Sequence, residues 1–542
     1  MKKLLSILII TQALFSYTYE ELKQEPNSLA KDFFLYNLLK DKEIKKEDLK
    51  EFKSHIFRFL GVIKKEYDKV AIKEAPKPLS PDSCYNYSIN SIMNASEKCQ
   101  VFRLKEVNFA KKLSVENLKK LANTFKDSNK ELSSQLSILA NKNPIAQSIK
   151  TGDGKTLMKL YYDGYKLDDF SPGPKTRASM MEHPNAYKFL NSALVDDKYP
   201  KIRERLSLLD KEDAKEDVAF ALGLNALMFN KNALAEKYFL RASKTYKYKR
   251  PRDNALFFAY LASNKTRHLD TLASSEDLNI YSILAKELTN TPLPKIITPN
   301  PTKTIDYPID DALVQARFMI ELKNANKEKL EQMKEQFDAK NTQGQYLVIS
   351  DKLSNFKDNI YPIPFPEELS NYSVEQKALI LAIAKQESRF LPASVSTSYA
   401  LGMMQFMPFV ATHTAKVDFN DNNFDVTNMF KPEIAYKFAN AHLNTLKKGV
   451  NHPVFIAYAY NGGLGFTQRM LKKEYMFSND SKYKKYEPFL SMELVPYLES
   501  RLYGKKVLAN YYIYLKILGK DVKMSDFIRD LNKQSDALKV RN

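Results

Sequence analysis

The run Ser373-Val-Glu-Gln-Lys-Ala-Leu-Ile-Leu-Ala-Ile-Ala-Lys-Gln-Glu387-Ser-Arg-Phe390 decides how this chain is read. Ser373 with Gln376 three residues on has the form of a capping box, in which each side chain satisfies a backbone N–H of the other. The apolar body that follows predicts a helix as far as Phe390, stopping before Pro392. Ile380, Ile383, Ala384 and Glu387 fall at i, i+3, i+4 and i+7, so one face carries aliphatic groups and ends in a carboxyl. If that carboxyl is partly buried, low dielectric disfavours its charged form and makes it a general acid near neutral pH. If it turns outward at the helix end, it is a solvated charge. The helix alone leaves both readings open.

Outward from this run the texture is helical. Glycine numbers only 14 in 542 residues, and apolar stripes of helical period recur,. Phe34, Leu35, Leu38 and Leu39 make one stripe; Phe220, Leu224, Leu227 and Met228 make another. Residues 215–265 echo the small-and-aromatic packing of a two-helix solenoid unit, in which each pair leaves an apolar face for its neighbour. Prolines 292, 294, 299 and 301 mark a linker, a Lys- and Glu-rich helical stretch covers about 309–357, and Pro362, Pro364 and Pro366 mark a second boundary,. The expected fold is all-α: a helical superhelix or solenoid over 17–298, a short helical linker domain over 299–358 and a C-terminal domain over 359–542.

The N-terminus sets the compartment. Met1-Lys2-Lys3 followed by a mostly apolar run from Leu4 to Phe15 suits a cleavable signal peptide over 1–16,. That run is shorter than the roughly 20 apolar residues a bilayer span needs. No later stretch is long enough either, and no cysteine sits near the cleavage region to take a lipid. The expectation is an exported, soluble, periplasmic monomer with no transmembrane anchor. The two cysteines, Cys84 and Cys99, are then predicted to pair as a disulfide rather than stay as buried thiols.

The formal net charge is +20, from 84 basic and 64 acidic residues. Such an excess favours polyanions through long-range attraction, but it is spread along the chain and solvated helix faces explain much of it. Thr151-Gly-Asp-Gly-Lys155-Thr156 is superficially like a phosphate loop, yet the pattern needs glycine where Ile149 stands,. Six scattered histidines contain no His-x-x-x-His pair, so neither nucleic acid nor a zinc site is expected,.

Three further blocks follow Gln386-Glu387-Ser388: Gly402-Met-Met-Gln405-Phe-Met407-Pro408, Ala459-Tyr460-Asn461-Gly-Gly463, and Glu493-Leu-Val-Pro496-Tyr-Leu-Glu499-Ser-Arg501-Leu-Tyr503. In order and spacing these blocks resemble the signature motifs of lytic transglycosylases with a lysozyme-like domain, in particular the large soluble type of Gram-negative bacteria. The resemblance covers about 385–510. It implies that Glu387 is the single catalytic acid/base, and that Ser396, Gln405, Met407, Tyr460 and Glu499 contact the glycan. It further implies a ring or horseshoe of helices beside a lysozyme-like domain. The substrate implied is peptidoglycan (glycan strands and muropeptides), with other cell-wall enzymes as candidate partners and with no cofactor or metal.

Each contact residue also has an ordinary reading. Ser396 and Gln405 could bond loop backbone, Tyr460 could be a core ring, Met407 could be core packing, and Glu499 could be an exposed helix charge. Asn461 reads as structural, because Asn-Gly-Gly favours a tight turn. Gly462 departs from the family's alanine and should loosen that turn. Tyr399 and Leu401 replace smaller residues, which puts the shape of the neighbouring subsite in question.

Two rivals remain at this stage. One is a goose-type lysozyme hydrolase, with Asp418, Asp421 or Asp425 positioning water. The other is a non-enzymatic peptidoglycan-binding scaffold.

Overall fold

Helix caps and buried apolar faces account for almost all the regular structure in the computed structural model, which describes residues 17–45, 47–71, 80 and 82–532. The signal segment expected over 1–16 lies outside these residues. Among them are 29 α-helices and a single parallel strand pair, Ile296–Ile297 with Asn359–Ile360. The fold is all-α, as the helical periodicity implies. No helix among the described residues is long and apolar enough to cross a membrane.

The chain forms two compact units that interleave along the sequence. One comprises the described residues of Met1–Glu74, Lys295–Lys448 and Asn510–Asp521; the other comprises those of Ala75–Pro294, Gly449–Ala509 and Val522–Asn542.

In the first unit the helix Val374–Glu387 runs through the interior. Its capping box forms as read: Ser373 accepts from the Gln376 backbone N–H, and the Gln376 side chain accepts from the Ser373 N–H. Residues Ala378 to Ala384 are buried all round, not along one face only. The helix Pro432–Lys447 packs against it, and Asn510 Nδ2 donates to the Ala382 carbonyl at 3.3 Å. The proline-rich segment before it is built in too. Tyr514 donates its hydroxyl proton to the Pro362 carbonyl at 2.9 Å, and Tyr436 donates to the Pro364 carbonyl at 3.1 Å. Buried carbonyls need donors, and two tyrosine hydroxyls supply them here.

The helix stops three residues earlier than its composition suggests. Arg389 and Phe390 both adopt left-handed backbone, at φ +55° and +64°, a conformation that is costly for residues with a Cβ and persists only where the surroundings enforce it. Here Phe390 is fully buried, with its ring edge-on to Tyr514. Gly344 opposes its carbonyl so closely that a Cβ there would sit 2.4 Å from the Phe390 oxygen.

In the second unit the helices Glu216–Met228, Asn232–Thr245, Lys249–Ser263, Thr266–Ala273 and Ile280–Leu288 pack each against the next, as a solenoid of irregular pairs does. Phe220, Phe239 and Phe258 form a ring cluster with centroids 5.4–5.6 Å apart. Gly223 admits the Phe239 ring where a Cβ would come within 2.6 Å of it. Cys84 and Cys99 form a disulfide, with Cα atoms 5.0 Å apart. Within 151–156 only Gly152 and Asp153 lie between helices, Pro144–Thr151 and Gly154–Tyr162, with Gly152 left-handed and Asp153 capping the Thr156 N–H at 2.9 Å.

Glu487 of this unit titrates unusually. Neither of its carboxyl oxygens makes a well-formed hydrogen bond among the described residues, and burial pushes its carboxyl up to about 8, against a weaker opposing pull from Ser491. The folded chain therefore holds a proton that the unfolded chain releases near pH 4.5. The stability this group contributes is complete below that value and is lost as the pH rises through about 8,. Thermal melts of Glu487→Gln should match wild type at about pH 4, where the carboxyl is neutral in both states, and exceed it at about pH 9.

Candidate active site

Glu387 is the last residue of its helix and is half-buried. Ser388, the next residue, is buried and caps the helix: its N–H donates to the Ala384 carbonyl, and its hydroxyl donates to the Met403 carbonyl at 2.8 Å. This bond ties the Glu-Ser block to the Gly-Met-Met-Gln block directly. Arg389 then leaves toward Asp351, at 3.4 Å, and lies over the Phe356 ring.

The segment 394–406 doubles back on itself. Leu401 bridges Val395 on one side and Phe406 on the other, and the Gly402 N–H donates to the Ser394 carbonyl at 2.9 Å. Gly402 is left-handed (φ +76°), and a Cβ there would fall 2.0 Å from the Met429 carbonyl oxygen. Only glycine fits, because both the dihedral and the space exclude a side chain. Gln405 is also left-handed, at φ +51°. Its Nε2 donates to the carbonyls of Gly402 (2.7 Å) and Ser394 (3.2 Å), an orientation that turns its Oε1 away as an acceptor. Ser396 Oγ accepts the N–H groups of Ser398 (3.2 Å) and Ala400 (2.9 Å), which leaves its own proton to donate. Met407 is half-buried at the start of the helix Pro408–Phe419. The first unit thus brings Glu387, Ser396, Gln405 and Met407 onto one hydrogen-bonded scaffold.

Tyr460 and Glu499 belong to the second unit. In the helix Pro453–Gly462 the core ring is Tyr458, which is fully buried against Gly504; Tyr460, two residues on, is half-exposed. Glu499 is exposed and accepts from Asn461 Nδ2 at 3.4 Å, while Ser500 Oγ donates to Asn461 Oδ1 at 2.7 Å. A pocket of about 420 Å³ lies between Asn461–Gly462 and Pro496–Ser500.

Two local expectations need correcting. Asn461 and Gly462 remain helical, and the break falls at Gly463, at φ +89°. Gly462 does not loosen a turn; a Cβ there would meet the Phe466 ring at 2.6 Å, so its role is close packing.

The fourth block also contains a charged group that sequence reading passed over. Glu493 is 3% exposed and accepts from Tyr281 (2.9 Å), Asn254 (3.2 Å) and Lys505. Burial alone would raise its pKa, but Lys505 and Arg501 outweigh burial and hold the carboxyl below its usual range. Its partners Tyr281 and Asn254 lie more than 200 residues away, and no local spacing announces them. Of the three aspartates that could have positioned water, Asp421 caps the Asn423 N–H and Asp425 caps the Thr427 N–H, while Asp418 is exposed.

Residues 364–483 match the family described as the transglycosylase SLT domain. The soluble lytic murein transglycosylase of Salmonella typhimurium is 27% identical over 184 residues, which is 33% of this chain and 27% of that protein. A putative soluble lytic murein transglycosylase of Haemophilus influenzae is 33% identical over 172 residues, 31% of this chain and 27% of its own length. The matched region thus spans about a quarter of the length of these curated relatives. Among solved structures, an inactive mutant of the lytic transglycosylase Slt from Pseudomonas aeruginosa superposes with a TM-score of 0.52. That match covers 93% of this chain and 78% of the other at 13% identity, a likeness of fold.

Gly402→Ala should destabilise the first unit by about 2–4 kcal/mol, because strain and overlap act together. Denaturant unfolding and limited proteolysis within 394–407 measure it, and wild-type behaviour in both would contradict the tight approach to Met429.

Proposed function

We propose, from the premise that residues 364–483 belong to the transglycosylase SLT domain family, that the chain is a periplasmic lytic murein transglycosylase. It cleaves the β-1,4 bond between N-acetylmuramic acid and N-acetylglucosamine and leaves 1,6-anhydromuramoyl ends. The observation that carries this reading is the Ser388–Met403 hydrogen bond. It fixes the half-buried Glu387 beside the strand-like turns that hold Ser396 and Gln405.

A single carboxyl suffices for the reaction. Glu387 closes an apolar helix and is half-buried there, and the reaction starts from its protonated carboxyl. It gives that proton to the glycosidic oxygen as the bond to the anomeric carbon breaks. The 2-acetamido group stabilises the developing positive charge, as in other substrate-assisted glycosidases. The Glu387 carboxylate then takes the proton of the muramoyl 6-hydroxyl, whose oxygen bonds to the anomeric carbon. One glycosidic bond is lost and one internal ether is made, no water is consumed, and Glu387 regains its proton. Gln405 Oε1 and the Ser396 hydroxyl offer an acceptor and a donor to the sugars, and Met407 offers an apolar contact. In the second unit, Tyr460 and Glu499 are glycan contacts by the motif resemblance. Export through the N-terminal segment would bring the basic chain to the acidic wall polymer.

Digestion of purified sacculi with mass analysis of the released ends tests the reading. Anhydromuramoyl ends support it, whereas reducing muramic ends would establish a hydrolase. Glu387→Gln should lower turnover by about 1000-fold or more while retaining glycan binding. An unaltered digestion rate would refute the catalytic assignment.

A further inference from the structure

Tyr399 lies between Ser396 and Gln405 in sequence, yet its ring packs on a distant part of the chain. It is 5% exposed and packs on two rings of the helix Leu29–Lys40: Phe33, edge-on at 5.8 Å, and Tyr36, tilted at 5.4 Å. Burial first, then the nearby Asp32 carboxylate and the Tyr36 ring, push its hydroxyl well above the ordinary tyrosine range. Its backbone is left-handed (φ +61°), and its N–H donates to the Ser396 carbonyl at 3.0 Å. On either side Thr397 and Ser398 are exposed, and Ala400 has no side chain long enough to anchor anything. The tip of the loop is therefore held by its own backbone bonds, by the Ser396 hydroxyl that accepts from Ser398 and Ala400, and by one side chain that reaches outside the loop, Tyr399.

The surface that receives Tyr399 is itself rigid. Phe33 and Leu35 are almost fully buried. Asp32, fully buried, accepts the backbone N–H groups of Phe57 and Arg58, both at 2.8 Å. Lys31 places its ammonium on the Glu25 carbonyl and on Asn27. The helix Ala312–Asn324 packs against the same helix, and Tyr17 reaches Asp311 at its cap. The Glu387 helix is held by other contacts: its capping box, the Ser388 bond to Met403 and the Asn510 bond to Ala382.

We propose that Tyr399 is a positioning residue, and that the helix Leu29–Lys40 is a working part of the substrate site, because the Phe33–Tyr36–Tyr399 ring cluster sets the height of the loop presenting Ser396. This inference rests on the transglycosylase reading. A loop released from the cluster keeps Glu387 and its chemistry but presents Ser396 in many orientations, so glycan affinity falls while the bond-breaking step does not.

Tyr36 is half-buried and touches the loop from the opposite side of the contact, which allows a test without altering the loop. Tyr36→Ala and Tyr399→Ala should each raise KM for soluble glycan strands by about 10-fold with kcat nearly unchanged, and Tyr399→Phe should restore wild-type values. In a Glu387→Gln background the same two changes should weaken glycan binding by the same factor and speed amide exchange at Ser398–Ala400. Unchanged binding and unchanged exchange in folded Tyr36→Ala overturn the proposal, as does a loss confined to kcat. If Tyr399→Ala does not fold, Tyr36→Ala decides alone. A wild-type protein that releases no anhydro ends removes the enzymatic reading, while binding and exchange still decide the clamp.

Discussion

The helix Val374–Glu387 has to stop abruptly, and the candidate site follows from how it does so. A helix continuing to Phe390 would carry Ser388 past the Met403 carbonyl and swing the following chain away from Gly402. Instead the chain takes two left-handed steps at Arg389 and Phe390, each costing about 1–3 kcal/mol for residues with side chains. Three contacts offset that cost: the buried Phe390 ring beside Tyr514, the Arg389 guanidinium over Phe356 near Asp351, and the Ser388 bond to Met403. Tyr399 and Gln405 are left-handed as well, so strained backbone is concentrated in the segment that carries Ser396 and Gln405. Strain of this kind is tolerated where a packed interior enforces one geometry, and such enforcement is what a preorganised site requires.

The parts of this arrangement that the sequence announces are those governed by near neighbours. The capping box and the apolar helix body depend on residues within a few positions, and both are readable. The Cys84–Cys99 pair is readable for a similar reason, since two cysteines admit one bond. The helix end is not legible, because Arg389 and Phe390 are ordinary residues with no local stop signal. Part of what accommodates their left-handed backbone is Gly344, some 45 residues upstream, whose missing Cβ makes room for the Phe390 carbonyl. Asn461 was read as a turn residue from its glycine neighbours, but burial of Tyr458 against Gly504 keeps the helix running through it. In both cases tertiary packing overrides a local preference.

The second unit shows the same principle in its electrostatics. Glu493 sits in a motif rich in charge, and its spacing gives no reason to prefer it over Glu499. Burial separates the two. Glu493 is enclosed and must be matched by Lys505, Tyr281 and Asn254, because an ion left unpaired in the interior costs several kcal/mol. Glu499 is exposed and holds only a long bond from Asn461. The enclosed carboxylate therefore joins the solenoid helices Lys249–Ser263 and Ile280–Leu288 to the segment leading into Leu498–Ile517, while the exposed one keeps its lone pairs available to a ligand. Two glutamates six residues apart thus have opposite surroundings, one enclosed and paired and the other open to solvent.

Composition shifts mark contiguous segments along this chain, but the contacts of the first unit do not follow them. The strand Ile296–Ile297 pairs with Asn359–Ile360 across the whole proline-bounded linker region, and Gly344 within that region shapes the exit from the Glu387 helix. The helix Leu29–Lys40, from near the start of the chain, packs on Ala312–Asn324 and on Tyr399. A segment cut at 359 would keep every motif block and still lose Gly344, the strand partner and the aromatic seat of Tyr399. Motif content and folding unit are thus different quantities here: motif blocks record the groups proposed to meet the substrate, and the unit records which groups hold them still.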